Sequence, residues 1–88
     1  MGEAKILVGS RGSVEEYVLQ LIVEFNRGVN KVVLTAFNDN MCKLADIYAS
    51  LKERLGDRVS IESGSTGTRR ERGRRRLYLE ITVIYKPV

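Results

Sequence analysis

Six of the eight residues from Arg69 to Arg76 are arginine, namely Arg69, Arg70, Arg72, Arg74, Arg75 and Arg76. A guanidinium holds five N–H donors in a planar fork that matches phosphate oxygens two at a time, and it stays charged at any physiological pH. The chemistry these residues offer is the binding of a polyanion. With Glu71 the segment carries +5, while the whole chain carries +4, so the other 80 residues together are −1. A loop that serves only solubility mixes signs and favours Lys and Glu. A near-neutral body with all its excess charge in eight residues has the form of an electrostatic contact device, and nucleic acid is the partner it suits. In strand geometry, alternate arginines point to opposite sides of a ribbon. Arginine positions a protein on phosphate without reading bases, and nothing here resembles a recognition helix, so binding independent of sequence is expected.

Smaller candidates lie elsewhere. Ser10, Arg11, Gly12 and Ser13 belong to a loop that ends at a helix start, where free amides and the helix dipole attract anions, which makes it a candidate phosphate loop. Glu15 and Glu16 crowd the same end, and a short loop with a Ser cap is also ordinary punctuation. Phe37 ends a strand beside a polar loop, where an aromatic ring stacks on a base or fills an interface. Cys42 is the only cysteine and, without a basic partner, is expected to be a small packed side chain. With one cysteine and no histidine, intramolecular disulfides, zinc clusters and histidine-based catalysis are excluded. Asp39, Asp46 and Asp57 lack metal-ligand spacing, and no general base is paired with a Ser or Cys nucleophile. The expectation is a non-enzymatic chain with no metal, no cofactor and no small-molecule substrate.

These residues need elements to carry them. At 88 residues the chain is expected to be one domain, 1–88, with a core small enough that pairing with a second subunit would help it. Its apolar runs are far shorter than the roughly 20 residues that cross a bilayer, and Glu3 and Lys5 break up any leader-like opening, so a soluble protein of the cytoplasm is expected. Ala4–Val8 reads as a buried strand. Ser13 and Glu16 form a capping box for a helix over about 14–27, whose apolar residues recur every three or four positions up to Gly28. Residues 31–36 read as a second buried strand. Asn38, Asp39 and Asn40 offer three caps for a second helix, which Gly56 ends. A third strand is expected to begin near Arg58 and to dissolve into Ser63–Thr68. Leu77–Tyr85 reads as a fourth, central strand, because both of its faces carry large groups. The order βαβαββ implies an α/β (two-layer α+β) fold, a four-stranded mixed sheet with both helices on one face. The segment from about 63 to 76 cannot bury apolar area, so it is expected to project as a flexible hairpin arm.

In this order the chain resembles the Alba family of archaeal chromatin proteins, most strongly the family's second, more divergent paralogue. The likeness is carried by Ile6-Leu7-Val8-Gly9, Tyr17-Val18, Phe25-Asn26-Arg27-Gly28-Val29, Val32-Val33-Leu34, Lys43-Leu44-Ala45-Asp46 and Leu51 through Asp57. The resemblance implies a fold like the C-terminal domain of translation initiation factor three, with sheet order 1-2-4-3. It also implies dimers built through the second helix and the last two strands, and binding of DNA and RNA with little sequence preference. Ser10 and Arg11 stand where the family has a lysine pair, so one charge remains and the acetylated lysine is absent. Phe37 and Asp39 replace two family arginines, which weakens the central body and leaves the arm to compensate. Lys43, by contrast, matches a family lysine in that region, and is the body's second candidate for nucleic-acid binding beside Arg11. Leu55 matches an apolar position through which family dimers meet, and Phe37 is a second candidate for that contact. The leading expectation is a chromosome-associated homodimer, or a heterodimer with a paralogue, that holds duplex DNA. The alternatives are an RNA-binding protein, or a subunit that modulates DNA packing by a more basic paralogue.

Overall fold

The elements that build the core are placed by the period of their apolar residues. In a computed structural model, which describes residues 2–87, the chain forms β1 (Glu3–Val8), α1 (Val14–Asn26), β2 (Lys31–Phe37), α2 (Asn40–Leu55), a single 3₁₀ turn (Gly56–Arg58), β3 (Val59–Glu71) and β4 (Arg74–Tyr85). The sheet order is β1-β2-β4-β3, with β1 and β2 parallel and the other pairs antiparallel. This is the expected two-layer fold with β4 inside the sheet. Val32, Leu34 and Ala36 of β2 and Ile81 and Val83 of β4 face Val18, Leu21 and Phe25 of α1 and Leu44, Ile47 and Leu51 of α2, and all of these side chains are buried. Truncating a fully buried residue such as Leu34 to Ala costs about 2–5 kcal/mol, so this layer carries most of the fold's stability.

The helix starts differ. Ser13 Oγ accepts from the Glu16 amide at 3.1 Å and Glu16 Oε1 accepts from the Ser13 amide at 3.2 Å, a complete capping box. Gly28, at φ 102°, makes the left-handed turn after α1. At α2 the expected side-chain cap is not made: Asp39 holds the N-cap in a helical conformation without a side-chain bond. Asn38 serves the sheet instead. Its amide donates to Leu77 O at 2.9 Å, and its Oδ1 accepts from the Leu77 amide at 3.0 Å, so β2 gains one further pairing with β4. A φ of 48° places Asn38 where it can do this, a region asparagine tolerates better than most residues.

Neither β1 nor β2 is buried on both faces, as their apolar runs had implied. Both helices lie on one side, so Leu7 on the edge strand is 64% exposed and Val33 is half-buried. β3 also departs from expectation. Its alternation is reset between Ile61 and Ser63 by a bulge at Glu62, after which pairing with β4 continues for nine more residues. Glu62 reaches across to Lys31 at 3.0 Å, and that bond, with the attraction between the charges, raises the Lys31 pKa above its ordinary value.

Candidate nucleic-acid interface

Pairing between β3 and β4 runs without interruption from Ser63↔Thr82 to Glu71↔Arg74. The stretch expected to dissolve into a flexible loop is therefore a regular two-stranded ribbon. A composition poor in apolar residues limits what side chains can bury, but the backbone ladder needs no apolar area. The turn is Arg72-Gly73, with φ of 51° and 77°, the two positive values of a type I′ turn, whose twist matches that of the strands it joins. Beyond Val59 no residue of β3 is buried, nor is any residue of β4 before Ile81, so the ribbon extends past the helices.

The register sorts the arginines. Arg69 and Arg76 are paired, and by alternation Arg74 shares their side, which is the side facing away from the helices. Arg70 and Arg75 are paired on the opposite side, and Arg72 occupies the turn. Five of the six side chains are exposed, and Arg76, half-buried, meets Glu71 at 3.3 Å. Among the described residues the other five make no ion pair. Arg72, Arg74, Arg75 and Arg76 line a depression of about 650 Å³ with Glu71 and Asn38. Unpaired guanidiniums on both sides of a narrow ribbon can grip phosphates on either side of a groove.

The Gly9–Ser13 loop is built around an ammonium. Tyr17 Oη accepts from the Gly9 amide at 3.0 Å and donates to Arg11 O at 3.0 Å. Lys43 Nζ donates to Gly9 O at 2.8 Å and to Gly12 O, lies 3.5 Å from Arg11 O, and sits 5.2 Å from the centroid of the Tyr17 ring. Carbonyls thus line the inside of the loop, and Lys43 fills it. The amides of Ser13 and Glu16 are engaged by the capping box. Ser10 and Arg11 remain exposed, with the Arg11 guanidinium outside every ion pair of the described residues. Sequence reasoning missed the linkage from Lys43 through Tyr17, because Tyr17 fits the apolar spacing of α1 and its hydroxyl carries no signal in that pattern.

Phe37 is half-buried on the open side of the sheet, below Arg76 at 4.2 Å and near Tyr78 at 6.3 Å between ring centroids. Leu55 ends α2 half-buried against the core, next to an Arg54–Glu15 ion pair that joins the two helices. Cys42, expected to pack, is exposed on α2. Among the described residues no three His, Cys, Asp or Glu side chains are grouped to hold a metal, and no helix is long and apolar enough to cross a membrane.

No family model matches the chain. It is 40% identical over 73 residues to DNA/RNA-binding protein Alba 2 of Saccharolobus shibatae, covering 83% of this chain and 81% of that one. Identity to the protein of the same name from Saccharolobus solfataricus is 41% over the same length and shares. Among solved structures, Alba from Thermoplasma volcanium matches with a TM-score of 0.80 at 25% identity, over 91% of this chain and 98% of its own. ALBA1 from Trypanosoma brucei, at 20% identity and a TM-score of 0.81 over 93% and 68%, shares the fold.

Proposed function

Because this chain belongs to the Alba family, we propose that it binds double-stranded DNA without sequence preference, as a chromosome-associated chromatin protein of an archaeal cytoplasm, gripping phosphate with its arginine ribbon. The observation that carries this reading is the ribbon itself: six arginines on a paired two-stranded arm, five of them free of any carboxylate among the described residues. Arg11 adds a positive charge on the body, and Lys43 contributes by holding the loop that presents it. The protein acts as a dimer, so two ribbons engage one duplex. Binding, not catalysis, is its activity.

A duplex titration in varied salt tests the proposal. If about six to ten phosphates are neutralised per dimer, affinity falls by roughly 10³ to 10⁵ between 50 and 200 mM salt. Alanine at all six ribbon arginines should remove most of the affinity and most of that slope while the far-ultraviolet spectrum is kept. A shallow slope in the wild type would refute the electrostatic grip. The relatives' name, DNA/RNA-binding protein, favours RNA as a second partner, and competition between matched DNA and RNA duplexes ranks the two. Phe37 and Asp39 on the body favour a heterodimer in which a more basic paralogue supplies the central charge; this version fails if the chain alone condenses DNA as well as any mixture.

A further inference from the structure

We propose that the open face of the sheet, at the root of the ribbon, is a stacking platform for unpaired bases of single-stranded nucleic acid, a site that shares Arg69 and Arg76 with the grip on duplex phosphate and adds two aromatic rings the duplex does not use; it rests on the nucleic-acid reading above. Four side chains from three strands converge there. Phe37 on β2 and Tyr78 on β4 are register partners with ring centroids 6.3 Å apart and planes tilted by 57°. Arg69 on β3 lies 5.2 Å from the Tyr78 centroid and 5.8 Å from that of Phe37, and Arg76 lies 4.2 Å over Phe37. This mixed layer of rings and guanidinium planes is the surface on which unstacked bases lie, while the in-plane N–H groups of Arg69, which makes no ion pair among the described residues, stay available for the phosphates between them.

The backbone beneath is cut to fit. Tyr78 pairs with Gly67, and a Cβ at Gly67 would come within 3.1 Å of the ring and its hydroxyl. A side chain there would press on the ring and require it to shift by a few tenths of an ångström. The platform continues into a shallow depression of about 510 Å³, with Leu7, Thr35 and Phe37 on its floor and Lys5, Arg69 and Arg76 on its rim. Glu71 and Glu80 are the opposing charges; Glu71 meets Arg76, and Glu80 accepts from Thr35 Oγ1 at 3.2 Å. An apolar, aromatic floor inside a basic rim fits a strand whose bases are bare. A duplex keeps its bases stacked on one another and gains nothing from the rings.

The test uses the full chain and three labelled probes. Two are single strands, oligo(dT) and oligo(U), each with one central 2-aminopurine, and the third is a duplex followed by anisotropy. The chain has no tryptophan, and of its six aromatic side chains only Phe37 and Tyr78 lie on the open face of the sheet, so quenching of the 2-aminopurine that the double variant removes reports stacking on them. Wild type is expected to bind and quench both single strands. Phe37→Leu/Tyr78→Leu, which keeps apolar bulk and removes the ring faces, should lower single-strand affinity by about tenfold or more and abolish the quenching. Its duplex affinity should stay within about twofold. Tyr78→Phe, which preserves both rings, should behave as wild type and needs no new packing. Unchanged single-strand binding by the double variant, or a proportional loss on duplex, overturns the platform. Wild type that binds duplex but neither single strand overturns the platform alone, whereas binding to none of the probes overturns the proposed function as well.

Discussion

The ammonium of Lys43 sits among the carbonyls of Gly9, Arg11 and Gly12 and beside the Tyr17 ring, so the contribution proposed for it is indirect: it fixes the loop that carries the exposed Arg11. Hydrogen bonds from a charged donor contribute about 1.5–3 kcal/mol each when buried, and half-burial reduces this. Lys43→Met is therefore expected to lower stability by about 1–2 kcal/mol in a urea titration, with broadened amide resonances confined to residues 9–13. It should also weaken duplex binding without the change in salt slope that losing a direct phosphate contact would cause. A slope reduced by about one unit would make Lys43 a phosphate contact after all. At this scale the sequence was partly legible. The arginines announce themselves by type and number, and the capping box by spacing. Asn38 and Lys43 do not, because their partners are backbone groups on other elements, and no local pattern records those.

Among elements, the ribbon depends on its turn. Gly73, at φ 77°, tolerates no side chain cheaply, and Gly73→Ala is expected to cost about 1–2 kcal/mol of local ladder stability. Arg72 stands at φ 51° in a position that asparagine fills more readily, so Arg72→Asn should strengthen the ribbon while removing one charge. Hydrogen exchange of the amides from Arg69 to Arg76 separates these effects, with faster exchange for the first variant and slower for the second. Equal exchange in both would mean that the turn does not limit the ladder. The parts of the six elements that carry the core were legible because apolar residues repeat at the period of their structure. The outer part of β3 was not: Ser, Thr, Gly and Arg carry no apolar alternation, and the bulge at Glu62 resets the face on which each residue falls.

For the whole molecule, the long axis is 46 Å against 22 and 19 Å in the other directions. Twelve residues of β4 at about 3.4 Å each account for roughly 40 Å of it. A two-stranded ribbon that projects without a core of its own is marginal in water. Two large apolar side chains on the helix side, Leu77 in the ribbon and Ile61 just before the bulge at its base, are 51% and 46% exposed, and a second copy of the chain would cover them in the proposed dimer. Leu77→Asp is expected to leave the far-ultraviolet spectrum unchanged and to shift the sedimentation mass to the 9.9 kDa of a single chain. A dimer that survives Ile61→Asp and Leu77→Asp together would place the interface elsewhere.

The unbroken pairing of the ribbon also bears on how long the protein survives. Trypsin-like proteases cut after arginine, and they need several residues of unpaired, extended chain in their cleft. Six such bonds are clustered here, yet each lies within the β-ladder or its two-residue turn. Cleavage at these six bonds must therefore wait for the strands to separate, and its rate follows the population of the opened ribbon. Whatever holds the ribbon closed protects these six bonds, and in the proposed complex nucleic acid would do so, leaving the ribbon of an unbound molecule the more exposed to cleavage.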